Sequence, residues 1–451
     1  MTKLILLLPV LILAAGFFFV CYRRLGLVTG YAAKNICSAV FLAGRDQLSV
    51  ETGENGTNLM KYARSSVDKA AGSVTSTIFG LKPRTAVYRE GVGCVLLPEG
   101  SGGPGAAACK PVRSLAVSSA PYPYGSGTAE QAPLPGIDNA ALSRAVANAF
   151  DHPGQDLKKT AAVIVIHNDR ILAEQYAPGF GRETRLAGWS MTKSPTSAIF
   201  GVLVKNGKLD PARKNLFPEW TDGRSEITLA QLLNMNSGLE WTEDYSNSSD
   251  VLKMLYEAGD MGAVQRGKPL TAAPGGRWRY SSGVTNLLAL FLRGQFPTRQ
   301  EYLDFWYAEL VDQLGMSSMV LETDLAGNYV GSSYAWATAR DWAKFGLLYL
   351  HRGSWNGRQV LTPAWVDFTA APAAGSNGAY GAHFWLNAGG KFPAAPKDMF
   401  YCAGHYGQYI FILPSQNAII ARFGLGGKAE FDANIFLKEV VSAIPELNGG
   451  R

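Results

Sequence analysis

From Ala161 to His167 almost every position is apolar, Asn168-Asp169 interrupts the run, and Ile171 to Tyr176 resumes it. Two short runs separated by an Asn-Asp break predict a β-hairpin. The pattern recurs near the other end: Tyr409-Ile410-Phe411-Ile412-Leu413, then Pro414-Ser415-Gln416-Asn417, then the apolar run Ala418 to Phe423. Beyond it, Ile435, Phe436, Val440 and Ile444 fall at helical spacing, which predicts a closing helix within 431–444. The sequence between the hairpins is mainly helical, with Trp336, Trp342, Phe345 and Leu348 reading as core. Strands at both ends predict an α+β fold: one antiparallel sheet with strands from distant parts of the chain, flanked by helices, plus a mostly helical region.

The amino-terminal pattern differs. No charged residue occurs from Leu4 to Tyr22, and Leu, Ile, Val, Ala and Phe dominate. That length approaches the ~20 residues needed to cross a bilayer. No A-x-A cleavage site follows, and Phe17-Phe18-Phe19 stands where small residues would be needed, so an uncleaved membrane anchor is expected over 1–29. Residues 30–117 mix short apolar runs with polar stretches and read as an accessory domain. Residues 118–136, rich in Pro, Ser, Gly and Ala, read as a linker, and 137–451 as one large domain.

Composition adds modest limits. Of 451 residues, 47% are hydrophobic and 17% charged, and a net charge of +6 without a dense basic run argues against nucleic acid as a partner. Five histidines without an H-x-H or H-E-x-x-H pattern offer no metal-ligand cluster, and no cofactor is implied. Cys94 and Cys109 bracket a Gly/Pro-rich loop and are a disulfide candidate for an oxidising compartment. Arg23, Arg24 and Lys34 after the apolar segment would by themselves hold the body in the cytoplasm. The cysteines argue the other way, and the expectation is a membrane-anchored protein with a periplasmic catalytic domain.

The candidate chemistry starts at Ser190-Met191-Thr192-Lys193. Three residues is close to one helical turn, so both side chains project from one face. A serine hydroxyl needs a neighbouring base to become a nucleophile, and a lysine serves once desolvation leaves part of it neutral. The flanking Leu186-Ala187-Gly188-Trp189 and Ala198-Ile199-Phe200 fit a buried setting. By itself S-x-x-K is a common tetrad, and its meaning depends on partners elsewhere in the chain.

Those partners occur in order: Tyr280-Ser281-Ser282, then His405-Tyr406-Gly407 just before a strand. With Ser190-x-x-Lys193 they resemble the three-motif layout of the serine β-lactamase and penicillin-binding protein superfamily. The resemblance is nearest to class C β-lactamases, family VIII esterases and 6-aminohexanoate-dimer hydrolases. Gly207-Lys208-Leu209-Asp210, the stretch Ile227 to Leu239 and Pro274-Gly275-Gly276 also fit, so the likeness covers roughly 135–447. It implies a β-lactamase/transpeptidase-like fold and an acyl-enzyme. Ser190 would be the nucleophile, Lys193 its base and Tyr280 a proton carrier whose pKa the lysine lowers. The backbone N–H groups of Ser190 and Gln408 would form the oxyanion hole. Ser282, His405, Tyr406 and Gly407 would line the substrate site, and Tyr245, in a Trp241-Thr242-Glu243-Asp244-Tyr245 stretch like the acyl-pocket loop of the dimer hydrolases, would contact the substrate.

Two departures matter. Ser282 stands where β-lactamases have asparagine, and His405 where they have lysine, so the site lacks the permanent cation that would hold a lactam carboxylate. Both point to an ester or amide substrate, a small molecule or short peptide, rather than a β-lactam. The competing reading is a catalytically weak or inactive membrane-tethered module that recognises cell-wall peptide or a partner protein. A G-x-S-x-G nucleophile elbow is absent from the sequence.

Overall fold

The computed structural model describes residues 22–446 except 23, 57, 100–108, 116–117, 126, 128–133, 155–156, 247 and 427–430. Both predicted hairpins form, and they lie side by side. The six-stranded antiparallel sheet runs in the order Trp385–Leu386, Phe400–Gly404, Gln408–Leu413, Ala418–Gly424, Thr160–His167, Arg170–Tyr176. Ala418–Gly424 from the end of the chain pairs with Thr160–His167, Ala418 facing His167 and Ile420 facing Val165. Asn168 and Asp169 both take positive φ (49° and 61°). That is the requirement of a two-residue turn matched to strand twist, and Asn and Asp tolerate it better than other side chains.

Strand Thr160–His167 is apolar at successive positions because both faces are covered. Ala162, Ile164 and Ile166 enter one core with Trp342, Phe345 and Leu348, while Val163 and Val165 enter a second with Leu142, Phe436, Leu437 and Val440. Helix Ala339–Leu350 packs on the first side; helices Asn139–Asn148 and Ala433–Ser442 cover the other. The closing helix buries Phe436 and Val440 as its spacing predicts, whereas Ile435 is exposed.

The amino-terminal residues build a separate antiparallel sheet in chain order, Ala63–Asp68, Ser73–Ile78, Leu81–Arg89 and Gly93–Leu96, with a helix over 24–41 laid against it. The anchor expected over 1–29 lies almost wholly outside the described residues, and among those described no helix is long and apolar enough to cross a membrane. The helix over 24–41 turns Leu27, Tyr31, Ala33, Ile36 and Cys37 into protein clusters, so its apolar face is satisfied within the chain. The membrane-anchored, periplasmic placement built on that segment is corrected accordingly.

The cysteine pairing is corrected too. Cys94 bonds Cys37, with Cα atoms 6.1 Å apart, and Cys109 is an exposed free thiol. Cys37 on the helix and Cys94 on the strand beneath it are both fully buried and face each other. The close spacing of Cys94 and Cys109 along the chain does not bring them together.

Candidate active site

Strand Leu186–Ala187 leads toward Ser190, held by pairing with Ala337 and Trp336 and by the Gly188 N–H donating to the Ala335 carbonyl (2.8 Å). Trp189 then takes φ 46°, and a single 3₁₀ turn, Trp189–Thr192, passes into helix Lys193–Lys205. A side chain at Gly188 would meet the Trp342 ring at 2.3 Å, so only glycine permits this approach. Pro195 sits in the first turn of the helix, where its missing N–H costs nothing.

Lys193 is 1% exposed. Its Nζ lies 3.1 Å from Ser190 Oγ, 3.0 Å from Ser282 Oγ and 2.9 Å from the Ser332 carbonyl. The Ser282 hydroxyl gives its own proton to Glu243 Oε1 (2.5 Å), so toward lysine it can only accept. Two of the three amine positions are thereby committed to fixed acceptors. The third, a proton in the ammonium and a lone pair in the amine, faces Ser190 Oγ. Burial lowers the Lys193 pKa to about 8 against the opposing charge of Glu243.

The second motif stands across this pair. Ser281 caps helix Ser282–Arg293 by accepting from the Val284 N–H, which places Ser282 at the first helical position and Tyr280 just before it. The Lys193 Nζ lies 4.9 Å from the centre of the Tyr280 ring. Burial, and then Glu243, push the Tyr280 pKa well above its ordinary value, a hydrogen bond with Ser190 opposing them. The expected lowering by lysine does not prevail in the resting site, and the phenol keeps its proton. Trp385 and Tyr380 pack on the ring (5.2 and 5.7 Å) and fix its plane.

The third motif lies just before strand Gln408–Leu413 and is the turn joining it to Phe400–Gly404, with positive φ at Tyr406 (63°) and Gly407 (73°). Arg422 Nη1 donates to both the Tyr406 and Gly407 carbonyls (3.1 and 3.0 Å). A Cβ on Gly404 would sit 2.2 Å from the Gly188 carbonyl, so the end of this strand lies directly against the chain entering Ser190. Gln408 pairs with Gly404 and clamps the sheet through its side chain, accepting from the Gly424 N–H (3.1 Å). The His405 ring stacks on Tyr245 (5.3 Å, 16°) and meets Trp189 edge-on (5.5 Å). Tyr406 is buried, its hydroxyl 3.0 Å from that of Tyr31 and donating to the Glu54 carbonyl at 3.2 Å.

Residues 147–432, more than half of the chain, match the family profile described as Beta-lactamase. The chain belongs to the beta-lactamase family. A 6-aminohexanoate-dimer hydrolase from Paenarthrobacter ureafaciens is 26% identical over 229 residues, 47% of this chain and 57% of that protein's length. The chain thus spans under two thirds of that curated relative. Among solved structures, a family VIII carboxylesterase superposes with a TM-score of 0.53 at 14% identity, covering 69% of this chain and 98% of its own. A penicillin-binding protein homologue from Caulobacter crescentus gives 0.52 at 16% identity, covering 68% and 97%. At such identities the likeness is one of fold.

Within this beta-lactamase-family frame, Ser190, Lys193, Tyr280, Ser282 and the His405 turn converge from three parts of the chain. Two participants escaped sequence reasoning. Ser332 contributes only a carbonyl, for which no side-chain signal exists. Glu243 lies in the stretch singled out for Tyr245, yet it is the residue that collects the contacts: the Ser282 N–H (2.8 Å) and hydroxyl, Trp241 Nε1 (2.5 Å) and the Tyr245 hydroxyl (3.4 Å).

Proposed function

We propose that this protein is a serine hydrolase that forms an acyl-enzyme on esters or amides other than β-lactams. The observation that carries the reading is the buried Lys193 amine, 3.1 Å from Ser190 Oγ, with its other two positions occupied by fixed acceptors.

Ser190 Oγ attacks the substrate carbonyl and passes its proton to the neutral Lys193 amine. The oxyanion is received by the backbone N–H groups of Ser190 and Gln408, each such donor being worth about 3 to 4 kcal/mol in the transition state. Tyr280 donates its phenolic proton to the departing oxygen or nitrogen as the C–X bond breaks, leaving a phenolate beside the lysine ammonium. In the second half, water attacks the acyl carbon and gives its proton to that phenolate. The Ser190–acyl bond then breaks, and Lys193 returns the proton to Ser190 Oγ. Protons balance over the cycle.

The substrate reading is supported by the charges around the nucleophile. Glu243 brings a carboxylate to Ser282 and Tyr245, and the His405 ring is occupied by Tyr245 and Trp189. A β-lactam carboxylate would meet the Glu243 carboxylate, with His405 in place of a permanent cation at the third motif. The test is a panel of p-nitrophenyl esters, a chromogenic cephalosporin and short linear and D-amino-acid amides, run with wild type and Ser190→Ala. Ester or amide turnover that disappears in Ser190→Ala, with the cephalosporin poorly hydrolysed, supports the proposal. Efficient cephalosporin turnover, or ester turnover that survives Ser190→Ala, contradicts it.

A further inference from the structure

The amino-terminal module reaches the site. Tyr31, on the helix over 24–41, is 7% exposed. Its ring stacks on Trp189, the residue before the nucleophile (6.0 Å, 20°), and packs against Tyr256 at 5.1 Å. Its hydroxyl lies 3.0 Å from that of Tyr406. Since the single Tyr406 proton goes to the Glu54 carbonyl, Tyr31 is the donor in that pair. One side chain from outside the family-matched region thus touches both walls of the cleft: the chain entering Ser190 and the turn leading to Gln408.

Both contacts fall where the backbone is least able to hold itself. Trp189 and Tyr406 are bulky residues at positive φ (46° and 63°), a conformation that costs each about 1 to 2 kcal/mol and persists only when its surroundings enforce it. The helix carrying Tyr31 is itself fixed at three places. Cys37 bonds Cys94, Lys34 pairs with buried Glu322 at 2.8 Å, and Ser38 donates to the same carboxylate at 2.9 Å. Trp336 Nε1 and the Cys94 N–H complete the set on Glu322 (2.9 and 2.7 Å). The Val330 N–H donates to the Glu322 carbonyl and the Glu322 N–H to the Tyr334 carbonyl, which frames the Ser332 carbonyl that receives Lys193.

We infer that Tyr31 is a positioning residue of the acylation site, setting the distance between Ser190 and the Gln408 N–H through Trp189 and Tyr406. This rests on the hydrolase reading above. Reactive geometry is unforgiving, a displacement of about 1 Å costing on the order of 100-fold in rate. The module is thereby a working part of the catalytic unit.

The experiment uses the full chain with p-nitrophenyl acetate and a fluorophosphonate probe. It compares wild type, Tyr31→Phe, Tyr31→Ala and Val50→Ala. Val50 is fully buried in an apolar cluster next to the one that holds Tyr31, is itself no part of the latter, and reports loss of stability. Tyr31→Phe keeps the ring and removes the hydroxyl: kcat should fall roughly 10-fold with KM within about two-fold. Tyr31→Ala should lower kcat and the labelling rate roughly 100-fold while the protein stays folded. Val50→Ala should lower Tm at least as much as Tyr31→Phe with wild-type kcat. Wild-type kcat and labelling in both Tyr31 variants, or losses that only track Tm as in Val50→Ala, overturn the inference. A wild type that does not label at Ser190 overturns the hydrolase reading and the inference with it.

Discussion

Lys193 is useful as a base only when neutral, and burial brings its pKa to about 8. Protonation below that value removes the lone pair facing Ser190, so kcat/KM on a neutral ester should rise about tenfold per pH unit up to roughly 8 and then level. A profile flat from pH 6 to 9 would remove lysine from the mechanism. Glu243 raises this pKa, so Glu243→Gln should move the acid limb to lower pH; an unmoved or upward-shifted limb would show that the carboxylate does not act on Lys193. At this scale the sequence was informative where side chains carry a recognisable motif, as with Ser190, Lys193 and Tyr280, which the fold brings together. It was silent on the Ser332 carbonyl, since any residue carries one. It also left the Tyr280 pKa inverted, because burial by Trp385 and Tyr380 depends on tertiary packing that no motif encodes.

Both hairpins were readable because each element carries its own turn chemistry: Asn168-Asp169 supplies two positive-φ positions, and Asn417 supplies one after Pro414. The third motif lies just before a strand, as its sequence suggests, but the conformation of its turn was not legible, since Tyr406 has no intrinsic preference for φ 63° and is held there by Arg422 and Tyr31. Gly404 tests this arrangement. Adding a Cβ 2.2 Å from the Gly188 carbonyl forces the two chains apart by roughly 1 Å. Gly404→Ala should therefore lower kcat on the order of 100-fold in a chain that still unfolds cooperatively. Activity within two-fold of wild type would mean that the strand end does not set the site.

For the whole molecule, the amino-terminal sequence was the least legible part. The apolar run over 4–21 lies outside the described residues; the helix over 24–41 that follows it buries its apolar residues against the chain's own sheet and the body of the fold. The cysteine pairing was misjudged for a related reason, because Cys37 and Cys94 meet only after a 57-residue excursion. A crosslink over that separation removes enough unfolded-chain entropy to contribute about 4 kcal/mol. A Cys37→Ala/Cys94→Ala chain should lose stability of that order in guanidinium unfolding, with Cys109→Ser indistinguishable from wild type; the opposite ranking would restore the Cys94–Cys109 pairing. The central claim is that Ser190 is acylated because Lys193 takes its proton. The most direct measurement is intact-mass and peptide-mapping analysis of the full chain after exposure to a fluorophosphonate. One adduct per chain is expected, on the peptide containing Ser190, absent in Ser190→Ala and slowed by orders of magnitude in Lys193→Ala. A folded wild type that stays unmodified, or an adduct on another residue, would contradict it.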